Sequence, residues 1–162
     1  MKQRNLIVSL AAALALAACA TVPPQSQQLA ANFKAMQPTS GLAKEMTMGE
    51  AERIRDGLVA ELAASHGKVV GYKAGLTNPA VQKRFGTTSP VRGVLLEKML
   101  LDDGAEVPAK FGAIPFFEAD IVAVVKDEGI NQAKTPAEVI KHLSSIRPFI
   151  ELPDLVTAKE QP

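Results

Sequence analysis

Three carboxylates stand in two apolar segments of this chain. Glu118 and Asp120 open a stretch rich in β-branched residues, and Glu151 lies in a second apolar segment, residues 149–152. In a strand, side chains two residues apart share one face, where two like charges repel unless a cation lies between them. Oxygen ligands favour a hard ion, so the pattern predicts a Mg²⁺ or Mn²⁺ site. The alternative is that Glu118 and Asp120 mark the solvated end of a strand.

The surrounding sequence predicts an α+β fold in which helices flank the strands that carry these carboxylates. Two capping boxes, each a Thr followed three residues later by Glu, predict helix starts at Thr47 and Thr135. Apolar residues recur at helical spacing after Thr47, and Gly67 is a typical helix end. The predicted elements are a helix over 47–67, a strand over 68–74, a short helix over 79–85, extended pieces at 93–96 and 99–101, a strand over 114–126, a helix over 135–145 and a strand over 146–152.

The N-terminus has the features of an export signal. Lys2 and Arg4 precede an apolar stretch, residues 6–16, that is too short to span a bilayer as a helix. The stretch ends in Leu-Ala-Ala-Cys19, which is similar to the lipobox of bacterial lipoproteins, and Cys19 is the single cysteine. Lipidation of Cys19 is therefore predicted, and Ala20 after it favours the outer membrane, on the periplasmic side. The alternative is a signal peptide with an accidental cysteine or an uncleaved anchor.

The chain is thus expected to divide into a signal peptide at 1–18, a lipidated tether at 19–37 and one folded domain at 38–162. The tether is polar and contains proline, which is typical of a linker. Net charge is +1, with acidic and basic residues interspersed, so the sequence predicts no nucleic-acid partner. One Tyr and no Trp argue against a platform that stacks sugars or bases.

A specific resemblance links several motifs that follow one another in order. The segment Gly-Tyr-Lys-Ala-Gly-Leu-Thr at 71–77, then Val81, Gln82, Gly86 and Pro-Val-Arg-Gly at 90–93, resembles the 2-keto-4-pentenoate hydratases of the fumarylacetoacetate hydrolase superfamily. Many members of that family have an Asp where this chain has Val91 and Arg92. The resemblance implies the mixed sheet or β-roll of the superfamily's C-terminal type with flanking helices. That fold is expected to be incomplete here, because family members continue well past the third acidic ligand.

The resemblance also implies a site. Glu118, Asp120 and Glu151 match the family's acidic metal ligands, so Mg²⁺ or Mn²⁺ is the expected cofactor. The family reaction adds water to a 2-hydroxy-2,4-dienoate and needs an acid or base, for which Lys73 is the candidate. Arg92 is a candidate for binding a substrate carboxylate and Thr77 for orienting a substrate oxygen. The alternatives are an edge-strand Lys73, a solvated Arg92 and a Thr77 that only caps its turn.

Three functions are therefore open from the sequence. The first is a hydratase-like enzyme, tethered to the membrane, that takes a small 2-oxo or 2-hydroxydienoate acid and forms a homo-oligomer. The second is a relative with the same metal site, either a 2-oxo acid decarboxylase or an acylpyruvate hydrolase. The third is a non-catalytic, truncated lipoprotein of the same fold. The first two functions differ in their substrate contacts. A downstream reading frame that encodes the expected further strands would favour an enzyme over the third function.

Overall fold

The computed structural model describes residues 22–40, 42–43 and 45–156. The predicted signal peptide and Cys19 lie outside the described residues. The helices and strands are α1 Pro24–Ala35, α2 Met48–His66, β1 Val69–Gly75, α3 Pro79–Arg84, β2 Val91–Leu96, β3 Glu118–Val125, α4 Pro136–Lys141 and β4 Leu143–Glu151. Two 3₁₀ turns, Glu97–Met99 and Glu128–Gln132, complete the set. Across the described ranges, no helix has the length and apolarity needed to cross a membrane.

Both predicted capping boxes are confirmed. The Thr47 hydroxyl accepts the Glu50 backbone N–H, and the Glu50 carboxylate accepts the Thr47 backbone N–H in return. Hydrogen bonds from the Thr47 hydroxyl and then its backbone hold the pKa of Glu50 below the ordinary value. Thr135 and Glu138 repeat this arrangement at the start of α4. Two reciprocal bonds satisfy backbone donors that a helix start otherwise leaves free, which is why these starts could be read locally.

The strands form two separate antiparallel pairs, β1 with β2 and β3 with β4. α4 ends at Lys141, earlier than predicted, because the residues after it already pair with β3: Leu143 lies opposite Val125 and Ser145 opposite Val124. The predicted extended piece at 99–101 is wrong, because Met99 ends a 3₁₀ turn and residues 100–101 belong to no strand. The Glu97 N–H donates to the Lys68 carbonyl at 2.9 Å, and this bond closes the β1–β2 ladder before the chain turns away.

The buried core joins the two long helices to β2. Ala30 of α1, Leu62 of α2 and Leu96 of β2 are its buried apolar residues within the described ranges. The Ser26 hydroxyl donates to the Ile54 carbonyl at 2.7 Å, where the two helices approach closely. α1 lies in the stretch that the composition assigns to the tether, and it is helical and packed on α2. The small residues Ser26 and Ala30 of α1 are buried at this approach. The polar, proline-containing composition of the predicted tether therefore did not prevent α1 from packing on α2.

The β3–β4 pair has two chemically different faces. Since opposite residues of an antiparallel pair share a face, Glu118, Asp120, Arg147 and Glu151 lie on one face. The other face is apolar and exposed, and Ile121, Ile146 and Ile150 are 67%, 56% and 67% exposed. This apolar face consists of Ala119, Ile121, Ala123, Ile146, Pro148 and Ile150.

Candidate functional site

The register of β3 and β4 gathers the predicted metal ligands on one surface. Glu118 lies directly opposite Glu151, and Asp120 lies two residues further along β3, opposite Phe149. Like charges directly opposite each other in an antiparallel pair are destabilising. Glu118 and Asp120 are exposed, whereas Glu151 is half-buried with its side chain 18% exposed. The strand face therefore concentrates negative charge at the end of β3–β4 where both strands carry a glutamate.

Lys73 compensates part of this charge from the other strand pair. Its ammonium contacts Oε1 of Glu151, so β1 and β4 are joined by an ion pair. That carboxylate oxygen is buried, and within the described part of the chain it has no partner with acceptable hydrogen-bond geometry. A buried carboxylate oxygen with this need for positive charge is what a metal ligand or a proton-transfer pair requires.

The donor set fits a hard divalent ion by chemistry, but the side chains are not gathered around one point. Three carboxylates on one face offer only oxygen ligands, as Mg²⁺ and Mn²⁺ prefer. Yet within the described ranges no three acidic, His or Cys side chains stand close enough together to hold a metal ion. Asp120 Oδ1 accepts the neighbouring Ile121 N–H at 2.7 Å, and Glu151 faces Lys73. The three carboxylates therefore share a strand face without forming a closed metal-binding cluster among the described residues.

Arg92 lies on the other side of its strand pair. Arg92 pairs with Ala74, next to the Lys73–Gly93 pair. Its side chain therefore projects from the face of the β1–β2 pair opposite to the face that carries Lys73. The guanidinium stacks over the Tyr72 ring, 5.3 Å from the centroid, and both side chains are exposed. The structure therefore does not bring Arg92 to the Lys73 face. Its role in binding a substrate stays a prediction.

Thr77 stands in the turn that follows β1. The turn passes through Leu76, whose φ of 54° lies in the left-handed region that bulky residues seldom adopt. The Gln82 side chain donates to the Leu76 carbonyl at 2.7 Å and holds this conformation. Thr77 is exposed, and among the described residues its hydroxyl makes no hydrogen bond. The hydroxyl is therefore accessible, and the predicted role for Thr77 is untested.

The structure also has two clefts, of about 260 and 370 Å³, and Leu152, which follows Glu151 in the chain, lines the larger one. Residues of α1 and α2 line both, together with nearby loop residues, and neither cleft includes Lys73 or the three carboxylates. The candidate site is thus an open surface between the two strand pairs. Sequence reasoning named its members but missed the Lys73–Glu151 pair, because these residues stand far apart in the chain. The only available signal was their opposite charge in two separate motifs.

The chain is similar in sequence to enzymes named as hydratases. A 2-keto-4-pentenoate hydratase of Burkholderia vietnamiensis is 36% identical over 87 residues, which cover 54% of this chain and 33% of that enzyme. The chain thus resembles part of the 2-keto-4-pentenoate hydratases. The hydratase of Paraburkholderia xenovorans is 27% identical over 137 residues, or 80% of this chain and 51% of the enzyme. The chain therefore spans between a third and about half of these relatives' lengths. No protein-family model matches it.

This chain also shares its fold with a solved enzyme. The structure of 4-oxalocrotonate decarboxylase from Pseudomonas putida G7, complexed with magnesium and adipate, superposes with a TM-score of 0.74 at 22% identity. The match covers 85% of this chain and 53% of the decarboxylase. The predicted fold class, α+β of the fumarylacetoacetate hydrolase type, is thereby confirmed.

Proposed function

We propose that this chain acts as a hydratase on a 2-hydroxy-2,4-dienoate or a closely related 2-oxo acid. The observation that carries the proposal is the contact between Lys73 and Glu151, which unites the hydratase-like segment at 71–77 with the acidic face of β3–β4. The similarity to enzymes named 2-keto-4-pentenoate hydratase and 2-hydroxypent-2,4-dienoate hydratase supports the substrate class.

In this proposal Lys73 moves the proton that hydration requires. Its ammonium and the Glu151 carboxylate form one pair on this face. In the proposal, the substrate binds against the same face with its reacting carbon within hydrogen-bond reach of the Lys73 proton. Glu118, Asp120 and Glu151 would hold Mg²⁺ or Mn²⁺, which when bound stabilises negative charge on the substrate's carboxylate and 2-oxygen. The magnesium in the decarboxylase that shares the fold supports a divalent ion. The choice between the two metals is open.

Loss of the ultraviolet absorbance of 2-hydroxy-2,4-pentadienoate in the presence of Mg²⁺ tests this function. Lys73→Ala should lower turnover by about a hundredfold or more, the usual contribution of a general acid or base. Lys68→Ala, which removes an exposed lysine just before β1, should leave turnover near that of the unaltered chain. A chain that binds the acid without turnover would support the non-catalytic alternative. Equal rates in both variants would remove Lys73 from the mechanism.

A decarboxylase is the second candidate, and the shared fold with 4-oxalocrotonate decarboxylase favours it. Both reactions use a small 2-oxo acid and place negative charge on the same substrate oxygens. The two are separated by their products, since decarboxylation of 4-oxalocrotonate releases CO₂ and hydration of the pentadienoate does not. Release of CO₂ without hydration would assign the chain to the second function.

We also propose that the chain is an exported lipoprotein anchored through Cys19. The charged start, the short apolar stretch and the Leu-Ala-Ala-Cys19 sequence support this location. Labelled palmitate should enter the unaltered chain and not Cys19→Ser. Equal incorporation into both would rule out the anchor.

Self-association is the last part of the proposal, with a second copy of this chain as the partner. The apolar face of β3–β4 exposes three isoleucines, and exposed apolar surface of this kind is typical of protein contacts. Among the described residues, each of the two strands also has one edge without a paired strand. A second copy that covers this face leaves the acidic face on the other side open to the substrate.

A further inference from the structure

Three glycines lie in the β1–β2 pair, and backbone conformation explains none of them. The glycines with φ in the left-handed region are Gly67, Gly86 and Gly104, whereas Gly71, Gly75 and Gly93 adopt backbone angles open to any residue. Glycine in the interior of a strand weakens it and commonly marks a place where another group approaches closely. A structural reason for any of these strand glycines must therefore be sought in the space around its Cα.

The side chain of Lys73 occupies the space beside the Cα of Gly93. The two residues are opposite each other in the ladder. A Cβ on Gly93 would lie 2.7 Å from Lys73 Cγ and 3.1 Å from Cδ, and contacts under 3.0 Å are essentially never seen for real Cβ atoms. At Gly71, by contrast, the nearest atom would be Leu95 Cδ1 at 3.7 Å, an ordinary contact. The aliphatic stem of Lys73 thus occupies the space that a side chain at position 93 would need.

The packing of the Lys73 stem against Gly93 determines the position of the Lys73 ammonium group. Cγ is two bonds from the Lys73 backbone, so it can leave the Gly93 space only by moving χ1 toward another staggered well, about 120° away. Such a rotation swings the whole four-carbon stem and carries Nζ away from Glu151. The direction of the stem over Gly93 and the contact at its tip are therefore parts of one arrangement.

We infer that Gly93 is a positioning residue for Lys73: the space left by its missing side chain holds the lysine stem and aims its amine at Glu151. The inference rests on the proposed function for its catalytic meaning, because a general acid or base must be held within hydrogen-bond reach of its partner. Its geometry can be tested without any turnover.

The first test measures the reactivity of the Lys73 amine in the full chain. Acetylation by a water-soluble N-hydroxysuccinimide ester is followed by peptide mass spectrometry, with Lys68 as the internal reference. Gly93→Ala should raise the Lys73 to Lys68 labelling ratio severalfold, to the level of Glu151→Gln, and the double variant should show no further rise. Gly71→Ala, the matched control in the facing strand, should keep the ratio of the unaltered chain. An unchanged ratio in Gly93→Ala would overturn the inference.

The second test is informative even if Gly93→Ala destabilises the fold. Lys73→Ala removes Cγ and Cδ, so the clash disappears, and the urea midpoint that Gly93→Ala lowers in the unaltered chain should hardly move in the Lys73→Ala background. An equal drop in both backgrounds would show that the space serves something other than Lys73. If these results hold while no 2-hydroxydienoate is hydrated, the positioning role stands and the proposed function fails.

Discussion

At the scale of single residues, the site is dominated by unbalanced negative charge. Glu118 and Glu151 oppose each other across the ladder, and Lys73 neutralises only the second of them. Because Lys73 remains 41% exposed, water screens this pair and it adds little to stability by itself. The arrangement is better explained by chemistry than by folding, since a cation shared by the carboxylates would remove their repulsion.

Asp120→Asn should weaken Mn²⁺ binding about tenfold or more, because it removes one negative charge and one ligand oxygen. Isothermal titration calorimetry with MnCl₂ measures the affinity. Asp103→Asn, in an exposed turn remote from the strands, is the matched control and should bind Mn²⁺ as the unaltered chain does. Identical affinities in the two variants would exclude Asp120 as a ligand.

The acidic pair was predictable because the two-residue period of a strand is a local property. A charge pattern within three residues is therefore enough to assign Glu118 and Asp120 to one face of β3. The partner of Glu151 was not predictable in this way. It depends on how β1 meets β4, and no local pattern encodes that approach. The side of the ladder from which Arg92 leaves was likewise fixed only by the register of β1 with β2.

At the scale of elements, local chemistry predicted helix starts better than helix ends. Capping boxes fix a start within four residues, so the starts of α2 and α4 were located within a residue. The end of α4 depends on pairing with β3, and β4 therefore begins earlier than its sequence suggests. Packing on α2 similarly decides the state of α1, whose sequence alone indicates only a polar linker.

A hydrogen bond joins Asp127, in the turn after β3, to His142. Nδ1 of His142 lies 2.6 Å from Asp127 Oδ1, which also accepts the Gly129 N–H at 3.0 Å. The hydrogen bond with His142 is the main cause that lowers the pKa of Asp127 below its ordinary value of 3.8. A lowered carboxyl pKa stabilises the fold above the unfolded-state value, and this contribution is lost as pH falls through the folded-state value.

The free energy of unfolding should consequently decline as pH is lowered from 5 to 2, and Asp127→Asn should show a shallower decline. Urea titrations at several pH values provide the measurement. Glu128→Gln alters the neighbouring carboxylate, which makes no hydrogen bond or ion pair among the described residues, and it should keep the slope of the unaltered chain. Parallel curves for Asp127→Asn and the unaltered chain would show that the Asp127–His142 link does not contribute.

At the scale of the whole molecule, buried apolar side chains lie between the helices and β2, while the β3–β4 pair contributes little to that core. Its apolar face is exposed, and its other face carries the acidic site. The alternation along β3 could be read from the sequence, but which side would be left uncovered could not. That outcome depends on which segments pack against the sheet rather than on the period of the strand.

Ile121→Lys should shift the chain toward monomer, because it places a charge in the centre of the exposed apolar face. Sedimentation velocity over a range of protein concentrations measures the change. Ser145→Lys introduces the same charge on the opposite face of the pair and should leave the association unchanged. A chain that sediments as a monomer without any substitution would refute the contact proposed through this face.

The division into two strand pairs also sets an order of events during synthesis. β1 and β2 can close their ladder as soon as Leu96 has left the ribosome, whereas β4 is complete only with Glu151. Roughly 55 residues separate these points, or roughly 3 to 11 s at ordinary translation rates. A two-stranded pair is at best marginally stable alone, so during that interval we expect the Lys73 stem to pack over Gly93 only while the β1–β2 ladder is formed. The ion pair with Glu151 can form only after β4 is complete.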